Sequence, residues 1–302
     1  MSILLTGSSG FIGGHVTLNP LVVRNVVRKN SQHKASVYII DEFSDSIDWS
    51  GAFGGVNAII HLSGVAHNKK ATLNELHSIN VLATLHLAKE SVKFGVKRFV
   101  FVSSIGVNGT STKDKPFTSN MKVEPHNPYA QSKYEAELGL KKIAEETGLE
   151  VVIVRPTLVY GPNAPGNFGM LTRLVSRLPI LPFGLANNRR DFIAVQNLAD
   201  LLVTCATHPN AAGHTFLASD SETVSIKGFT NAMAKGWGKK VVQLPIPVGL
   251  MHLIGKVTGK SAMIEQLFGN LEVDSSNIQQ VLDWTPPFTM EQAMASLKDS
   301  DK

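Results

Sequence analysis

Short, mainly apolar runs occur at Ile3 to Leu5, Val22 to Val27, Val37 to Ile40, Ala58 to Leu62, Arg98 to Val102 and Val151 to Val154. Runs this short, without regular polar alternation, suit strands covered on both faces, as in a parallel sheet. Between them, Leu73 to Phe94 and Tyr129 to Thr147 repeat apolar positions at helical spacing, and Gly95 and Gly148 follow where a left-handed cap is wanted. The alternation predicts an α/β chain with a Rossmann-type doubly wound parallel sheet over residues 1–160. Past Pro156 it breaks into loops rich in Pro162, Pro165, Gly166, Gly169, Pro179, Pro182 and Gly184, the texture of a ligand cleft. Asn197 to Thr207 reads as a further helix, and elements from 190–220 are expected to return to the sheet. Helical stretches broken by prolines from Ser225 onward make 161–302 mainly a smaller C-terminal substrate-binding lobe.

Composition narrows the class. With 302 residues, 43% hydrophobic and 18% charged, the chain is an ordinary globular one, which excludes disordered and collagen-like proteins. The net charge of +5 comes without a polybasic block, so no nucleic-acid partner is expected. Cys205 is the single cysteine; it reads as a small buried hydrophobe in a reducing, cytoplasmic protein without disulfides. The uncharged first 23 residues contain four glycines, Asn19 and Pro20, and the apolar stretch Val241 to Gly255 holds Pro245 and Pro247. A bilayer span takes about 20 apolar residues, so no membrane partner is expected either.

Candidate chemistry begins behind the first strand, with Gly7-Ser8-Ser9-Gly10-Phe11-Ile12-Gly13. Glycines spaced in this way permit a tight strand-to-helix turn and let backbone N–H groups approach a pyrophosphate. The second strand runs into Arg28 and Lys29, where an NAD-selective site would place an acid for the ribose hydroxyls. Forked donation from Arg28 to a 2′-phosphate would suit NADP, and a solvated strand end is the alternative. Asp41, after the third strand, is a candidate for the adenine amino group. The first helix is short, confined between Gly13 and Val22.

Tyr129 and Lys133 stand four apart on a predicted helix, one turn apart on one face, 25 residues beyond Ser104. A nearby ammonium, joined by the charge of an oxidised nicotinamide, is expected to lower the Tyr129 pKa toward neutrality and make it a general acid/base. His61 and His67 lack a cluster at ligand spacing, so no metal is expected.

With these motifs the chain resembles the extended short-chain dehydrogenase/reductases of the NAD-dependent epimerase/dehydratase family, and is similar to UDP-glucose 4-epimerases over nearly its whole length. The resemblance rests on TGSSGFIG, on His61-Leu62-Ser63-Gly64, on Asn80, on Val102 to Gly109, and on Tyr129 with Lys133. Arg155-Pro156-Thr157-Leu158-Val159-Tyr160-Gly161-Pro162, Arg190-Asp191-Phe192-Ile193 and Asp283-Trp284-Thr285-Pro286 extend it, Asp283 replacing a family glycine. It implies NAD or NADP bound by Gly7, Ser9, Gly10, Phe11, Ile12, Gly13, Leu62, Ser63, Gly64, Asn80, Ser103 and Pro156, with Tyr129 and Lys133. Lys133 would hold the nicotinamide ribose, Thr157 would lie beside the nicotinamide, and Asn80 would order backbone around the site. Ser104 would hydrogen-bond the reacting sugar oxygen, with Ser103 the alternative if the strand slips by one. A nucleotide-sugar substrate, UDP-linked, would meet Asn167, the backbone around Phe183, and Arg190, whose guanidinium suits a diphosphate; a surface salt bridge is the alternative for Arg190. A homodimer through Leu73 to Phe94 and Tyr129 to Thr147 is also implied.

In the 4,6-dehydratases of the family an Asp-Glu pair follows the active-site Ser or Thr; here Ile105-Gly106 does, which disfavours dehydration. A 4-epimerase is preferred, and an NADPH-dependent 4-ketoreductase of a UDP-4-keto-6-deoxy-N-acetylhexosamine stands beside it. A catalytically silent NADP-sensing regulator is a third reading, which the presence of Ser104, Tyr129 and Lys133 opposes.

Overall fold

The structure, a computed structural model, describes residues 1–29, 36–66, 70–259 and 261–301, with the side chains at 167, 262 and 299–301 outside the description. Seven parallel strands form the main sheet: β1 Ile3–Thr6, β2 Val22–Arg28, β3 Val37–Ile40, β4 Ala58–His61, β5 Arg98–Val102, β6 Glu150–Pro156 and, after three strands of the lobe, β10 Thr215–Ala218. Their spatial order is β3-β2-β1-β4-β5-β6-β10, the doubly wound arrangement. Successive residues of a strand serve opposite faces. Ile3, Leu5, Ala58 and Ile60 pack with Val100, Val152 and helix α6 (Val195–Thr207) on one side. Leu4, Ile59, Phe99 and Ile153 pack on the other against α3 (Ala83–Lys93) and α4 (Pro128–Thr147). Cys205 lies wholly buried in the first of these cores, and burial pushes its thiol pKa up.

The region Leu73 to Phe94 is one helical path with an unexpected middle. It starts as α2 (Leu73–Leu76), capped by Thr72 and Glu75, widens to a π-helical turn over His77–Leu82, and continues as α3. Such a widening inserts a residue into the helical register and re-aims side chains, and it frequently accompanies a functional site. Gly95 and Gly148 take left-handed φ of +77° and +75°, as the cap positions require. The first helix, α1, is confined to Phe11–Val16.

The second hydrophobic core belongs to the lobe. It collects β7 (Leu158–Tyr160), α5 (Gly166–Arg177), β8 (Ile180–Leu181), β9 (Phe192–Ala194), α7 (Ile226–Gly236), β11 (Val242–Gln243), α8 (Val248–Val257) and α9 (Ser261–Phe268). Helix α10 (Ser276–Leu282) returns to the main sheet, where Ile278, Leu282 and Trp284 join the first core, and α11 (Met290–Ala295) closes on the lobe. Two buried polar knots tie these layers. Asp220 accepts from the Tyr160 hydroxyl at 2.8 Å, from Asn197 Nδ2 at 2.7 Å and from the Ala194 amide. Asn197 also exchanges two hydrogen bonds with the backbone of Phe288, and Trp284 Nε1 donates to Asp200 at 2.7 Å.

A carboxylate buried with a full set of donors loses heavily when one is withdrawn. Tyr160→Phe is expected to lower the unfolding free energy by about 1.5–3 kcal/mol in urea titrations. A change below about 0.5 kcal/mol would mean that the hydroxyl contributes nothing to the knot.

Candidate active site

Strand register alone brings the motifs to one edge. Thr6 pairs with His61, His61 with Phe101, Val102 with Val154 and Pro156 with Ala218. The loops that follow β1, β4, β5 and β6 therefore leave the sheet side by side at its carboxyl end, where open α/β sheets bind ligands.

The glycine loop is sterically obligatory. A Cβ at Gly13 would sit 2.1 Å from the Gly7 carbonyl oxygen, and one at Gly7, whose φ is +74°, would sit 2.9 Å from the backbone at Leu62 and Ser63. Only glycines let α1 start this close to the strand and let the loop touch its neighbour. Gly10 caps α1, Ser9 is exposed at the tip, and Phe11 and Ile12 are half-buried. Ser8, not singled out in the sequence, is buried with a hydroxyl that has no hydrogen-bond partner. A cradle that a Cβ would fill, with an orphaned buried hydroxyl inside it, fits an oxygen-rich ligand such as a dinucleotide pyrophosphate.

His61 is structural. The Thr6 hydroxyl accepts the Leu62 and Ser63 amides and contacts His61 Nδ1 at 2.7 Å, while His61 Nε2 contacts Thr84 Oγ1 at 2.9 Å. With its lone pairs used, Thr6 gives its proton to Nδ1, which leaves a neutral ring protonated at Nε2. Burial, and then the charge of Lys133, hold its pKa well below the usual value. Among the described residues no group of three or more His, Cys, Asp or Glu side chains could hold a metal ion, and His67 lies outside them.

Asn80, in the π-helical turn, is completely buried. Its side chain accepts the Val65 amide at 2.8 Å, donates to the Val65 carbonyl, and donates to Ser132 Oγ at 2.9 Å. With both ends of the amide engaged, Asn80 orders the backbone beyond β4, and its Oδ1 keeps one lone pair beyond the bond from Val65. A Cβ at Gly64 would lie 2.9 Å from Asn80 Oδ1 and 3.5 Å from Lys133 Nζ, so this backbone passes directly over the lysine.

Tyr129, Lys133 and Glu137 occupy successive turns of α4, whose start is capped by Asn127. Lys133 Nζ is buried, donates to the Val102 carbonyl at 3.0 Å, and lies 4.6 Å from the Phe101 ring centroid. Burial pulls its pKa down to about 8, and Glu137 opposes the shift. Tyr129 does not behave as the sequence suggests. Burial drives its pKa up to about 12, so the depression expected from Lys133 is absent in the chain by itself; the ammonium is instead spent on Val102. Ser104 caps the short helical turn Ile105–Val107 by accepting the Gly106 amide at 3.1 Å, which leaves its own proton to donate.

Below these lies a charged knot that the sequence reading missed. Glu137, fully buried, accepts from Ser103 Oγ, from Arg155 Nε at 2.9 Å and from Arg155 Nη2, and Arg155 Nη1 donates to Asn108 Oδ1 at 2.9 Å. The Ser103 hydroxyl is thereby committed inward, which removes its side chain as the alternative to Ser104. His126 was also missed. Asn127 Nδ2 donates to its Nε2, so its Nδ1 donates to the Gly106 carbonyl at 3.2 Å and ties the Ser104 turn to the start of α4. The signal available was the run His126-Asn127-Pro128 just ahead of Tyr129.

The remaining candidates divide. Pro156 is buried at the end of β6, and Thr157 donates twice to the Ala218 carbonyl. Arg28 is exposed at the end of β2, and Asp41 is exposed and ion-paired with Lys29. Phe183 is buried in the lobe core edge-on to Phe268, so only its backbone remains for a ligand, as the sequence reading specified. Asn167 begins α5, and its side chain lies outside the description. Arg190 is buried; Nη1 donates to the Gly269 carbonyl at 2.9 Å, and burial lowers its pKa to about 10. Among the described residues it makes no salt bridge. A cavity of about 310 Å³ beside it is lined by Ala186, Asn187, Asn188, Arg189, Phe268 and Asn270, with Val248 at the head of α8.

Sequence comparison places this geometry. The profile of the NAD dependent epimerase/dehydratase family matches residues 3–218. A curated relative, the UDP-glucose 4-epimerase of Vibrio cholerae, is 38% identical, covering 96% of this chain and 92% of the relative. The chain therefore belongs to the NAD dependent epimerase/dehydratase family, whose cofactor is NAD(P). Its fold matches the UDP-glucose 4-epimerase of Thermotoga maritima solved with UDP-glucose, at TM-score 0.75 and 21% identity over 100% of this chain and 98% of that one. It also matches the UDP-glucuronic acid 4-epimerase of Bacillus cereus in complex with NAD, at TM-score 0.77 and 18% identity over 99% and 98%.

Two measurements follow from the charges at the site. Between pH 8 and 10.5 the unfolded chain holds a proton that folded Lys133 has released, so this group makes stability rise with pH across that window. The stability of the wild type relative to Lys133→Met is expected to grow by about 1–3 kcal/mol from pH 7.5 to 10 in urea titrations, and a flat difference would place the lysine at its ordinary pKa. Glu137→Ala, which strands Arg155 in the interior, is expected to cost about 3–5 kcal/mol in the same assay; a cost below about 1 kcal/mol would mean the pair is solvated.

Proposed function

We propose that this chain is a nucleotide-sugar 4-epimerase that acts on a UDP-hexose or UDP-N-acetylhexosamine with NAD(P) in the glycine loop. The observation that carries the reading is that Lys133, one turn along α4 from Tyr129, reaches the end of β5 two residues before Ser104, in a chain 38% identical to a protein named UDP-glucose 4-epimerase. Gly7, Gly10 and Gly13 with Ser8 and Ser9 would hold the pyrophosphate, the backbone from Leu62 to Gly64 and Pro156 the nicotinamide side, and Lys133 the ribose. When bound, the dinucleotide supplies the two-electron carrier at sugar C4.

In the chain by itself burial keeps Tyr129 in its phenol form, the form that donates a proton to a C4 carbonyl oxygen; the resulting phenolate is the form that takes the proton from a C4 hydroxyl in the opposite direction. Ser104 has its proton free to donate to the same oxygen and so to fix the sugar's orientation. Lys133 is still largely protonated at pH 7, and its charge favours the phenolate whenever Tyr129 gives up its proton. Arg189 on the cavity wall and Arg190 behind it supply positive charge for a diphosphate. Ile105 and Gly106 offer no acid or base for dehydration.

The 4-ketoreductase reading draws on one observation: Arg28 is exposed at the end of β2, and among the described residues no acid pairs with it, which leaves its guanidinium for a 2′-phosphate. For assembly, Leu73, Leu82 and Leu138 are the exposed apolar side chains that a homodimer through α2, α3 and α4 would cover.

The deciding experiment denatures the purified protein, identifies any released nucleotide by mass spectrometry, and follows UDP-sugars by absorbance at the reduced-nicotinamide band. Sugar interconversion with no net absorbance change is the expected result. Net NADPH oxidation that requires a 4-keto sugar would replace the epimerase with the reductase. Tight NADP binding without turnover of any nucleotide sugar would leave a silent sensor. Tyr129→Phe is expected to lower turnover by about 10²–10⁴-fold with nucleotide retention intact; unchanged turnover would remove Tyr129 from the mechanism.

A further inference from the structure

The lobe has a surface that the proposed chemistry does not use. Helix α8 turns Val248, Met251 and Gly255 toward the lobe core, and Gly255 sits so close to Ile264 that a Cβ there would lie 2.7 Å from it. Its other face is also apolar. Leu250, Leu253, Ile254 and Val257, spaced as i, i+3, i+4 and i+7, are 45%, 57%, 45% and 80% exposed. The segment leading into α8 adds exposed Val242 and Leu244, and β8, paired with β11, adds exposed Leu178 and Ile180. A globular helix ordinarily buries one apolar face and solvates the other, so this second apolar stripe, flanked by His252 and Lys256, is a surface awaiting a partner.

Charge says what kind. From residue 223 to 264 the chain has six lysines and no Asp or Glu, and from 151 to 190 it has five arginines and again no acid. These two stretches are joined in the lobe: Val242 donates to Pro179, Leu244 to Leu181, and Lys239 Nζ to the Ser176 carbonyl at 3.0 Å. Lys235, Lys239 and Lys240 line a cleft of about 490 Å³ with Gln243, whose Oε1 is buried without a partner. Arg173 and Arg177 on α5, which Lys239 reaches at Ser176, and Lys256 on α8 are exposed. The acids that face this region from neighbouring elements are Glu265 on α9, beside His252, and Glu291 on α11, paired with Lys235. The lobe thus presents apolar side chains within an almost uniformly cationic surround.

We infer that α8 and its basic surround form a docking surface for an anionic lipid bilayer, with the apolar stripe entering the headgroup region and the lysines holding lipid phosphates. An apolar stripe that supplies area and flanking cations that supply attraction are the two parts of an interfacial helix. A second copy of this chain is a poorer occupant, because a two-fold interface here would set lysine against lysine. Among the described residues no helix is long and apolar enough to cross a membrane, so the lobe lies on the bilayer and does not span it. This departs from the absence of a membrane partner expected from the sequence. Val248, the first residue of α8, also lines the cavity beside Arg189, so docking would bring that cavity to the lipid surface.

The test is co-sedimentation of the full chain with vesicles of phosphatidylcholine alone and of phosphatidylcholine with phosphatidylglycerol, read without turnover. Binding to the anionic vesicles at least about tenfold above the neutral ones, weakened by half-molar salt and by Lys239→Gln with Lys240→Gln, is expected. Leu253→Glu with Val257→Glu should abolish it and leave turnover of soluble substrate unchanged. Because Cys205 is wholly buried, Val257→Cys takes a single environment-sensitive dye, whose emission should shift to the blue on anionic vesicles. Equal binding to both vesicle types, no binding, or no dye shift would overturn the inference. A dimer in sedimentation velocity that Leu253→Glu with Val257→Glu dissociates would also overturn it, by giving the stripe to a second copy.

Discussion

Glu137 and Arg155 face each other in the interior, where α4 packs against the carboxyl ends of β5 and β6. Two buried charges endure only when each is paired and its remaining hydrogen-bonding groups are satisfied. The protein meets that condition with Ser103 and Asn108, so the knot fixes three elements at once. It sets the end of β5 through Ser103, the position of α4 through Glu137 and the end of β6 through Arg155. Ser104 is adjacent to one member, and Lys133 lies one turn of helix from another. The spacing of the proposed catalytic groups is therefore inherited from a charge pair that bonds to none of them and reaches Ser104 only through its neighbour Ser103.

The same knot explains the electrostatics above it. Lys133 is buried deeply enough for its proton to loosen, and the carboxylate of Glu137 one turn away limits how far. Tyr129, higher on the same helix, is shaped by exclusion of water alone and holds its proton tightly. A pair of groups displaced in opposite senses, one toward release and one toward retention, is an arrangement suited to passing a proton.

Legibility in the sequence followed the physics of each feature. The main sheet could be read because strands buried on both faces must be continuously apolar, and Ile3–Leu5, Ala58–Ile60 and Arg98–Val102 are buried at every position. The glycine loop could be read because only one residue type survives where a Cβ would strike Gly7. What escaped were contacts between side chains far apart in the chain. Glu137 looks like any helix-surface acid until Arg155 is found beside it, and the π-helical turn at His77–Leu82 has no periodicity that distinguishes it from α-helix. For Tyr129 the spacing shows that a lysine is near but not that the ring is buried, and in the chain without a nicotinamide burial alone raises its pKa. The exposed face of α8 was not legible, since a mainly apolar helix reads as core until its neighbours are known.

The path of the chain has a mechanical consequence. After β6 it passes from the sheet into the lobe, back at α6, out again after β10, back at α10 and out a last time to α11, so five separate segments bridge the two cores. Hinged closure of two bodies needs a small number of connecting residues that can rotate together. Five connections at different places, two of them fastened by Asp220 and Asn197, leave no common axis. The cleft consequently has the stiffness of a woven joint, and its width is set when the chain folds; passage in and out falls to individual loops and side chains at its rim.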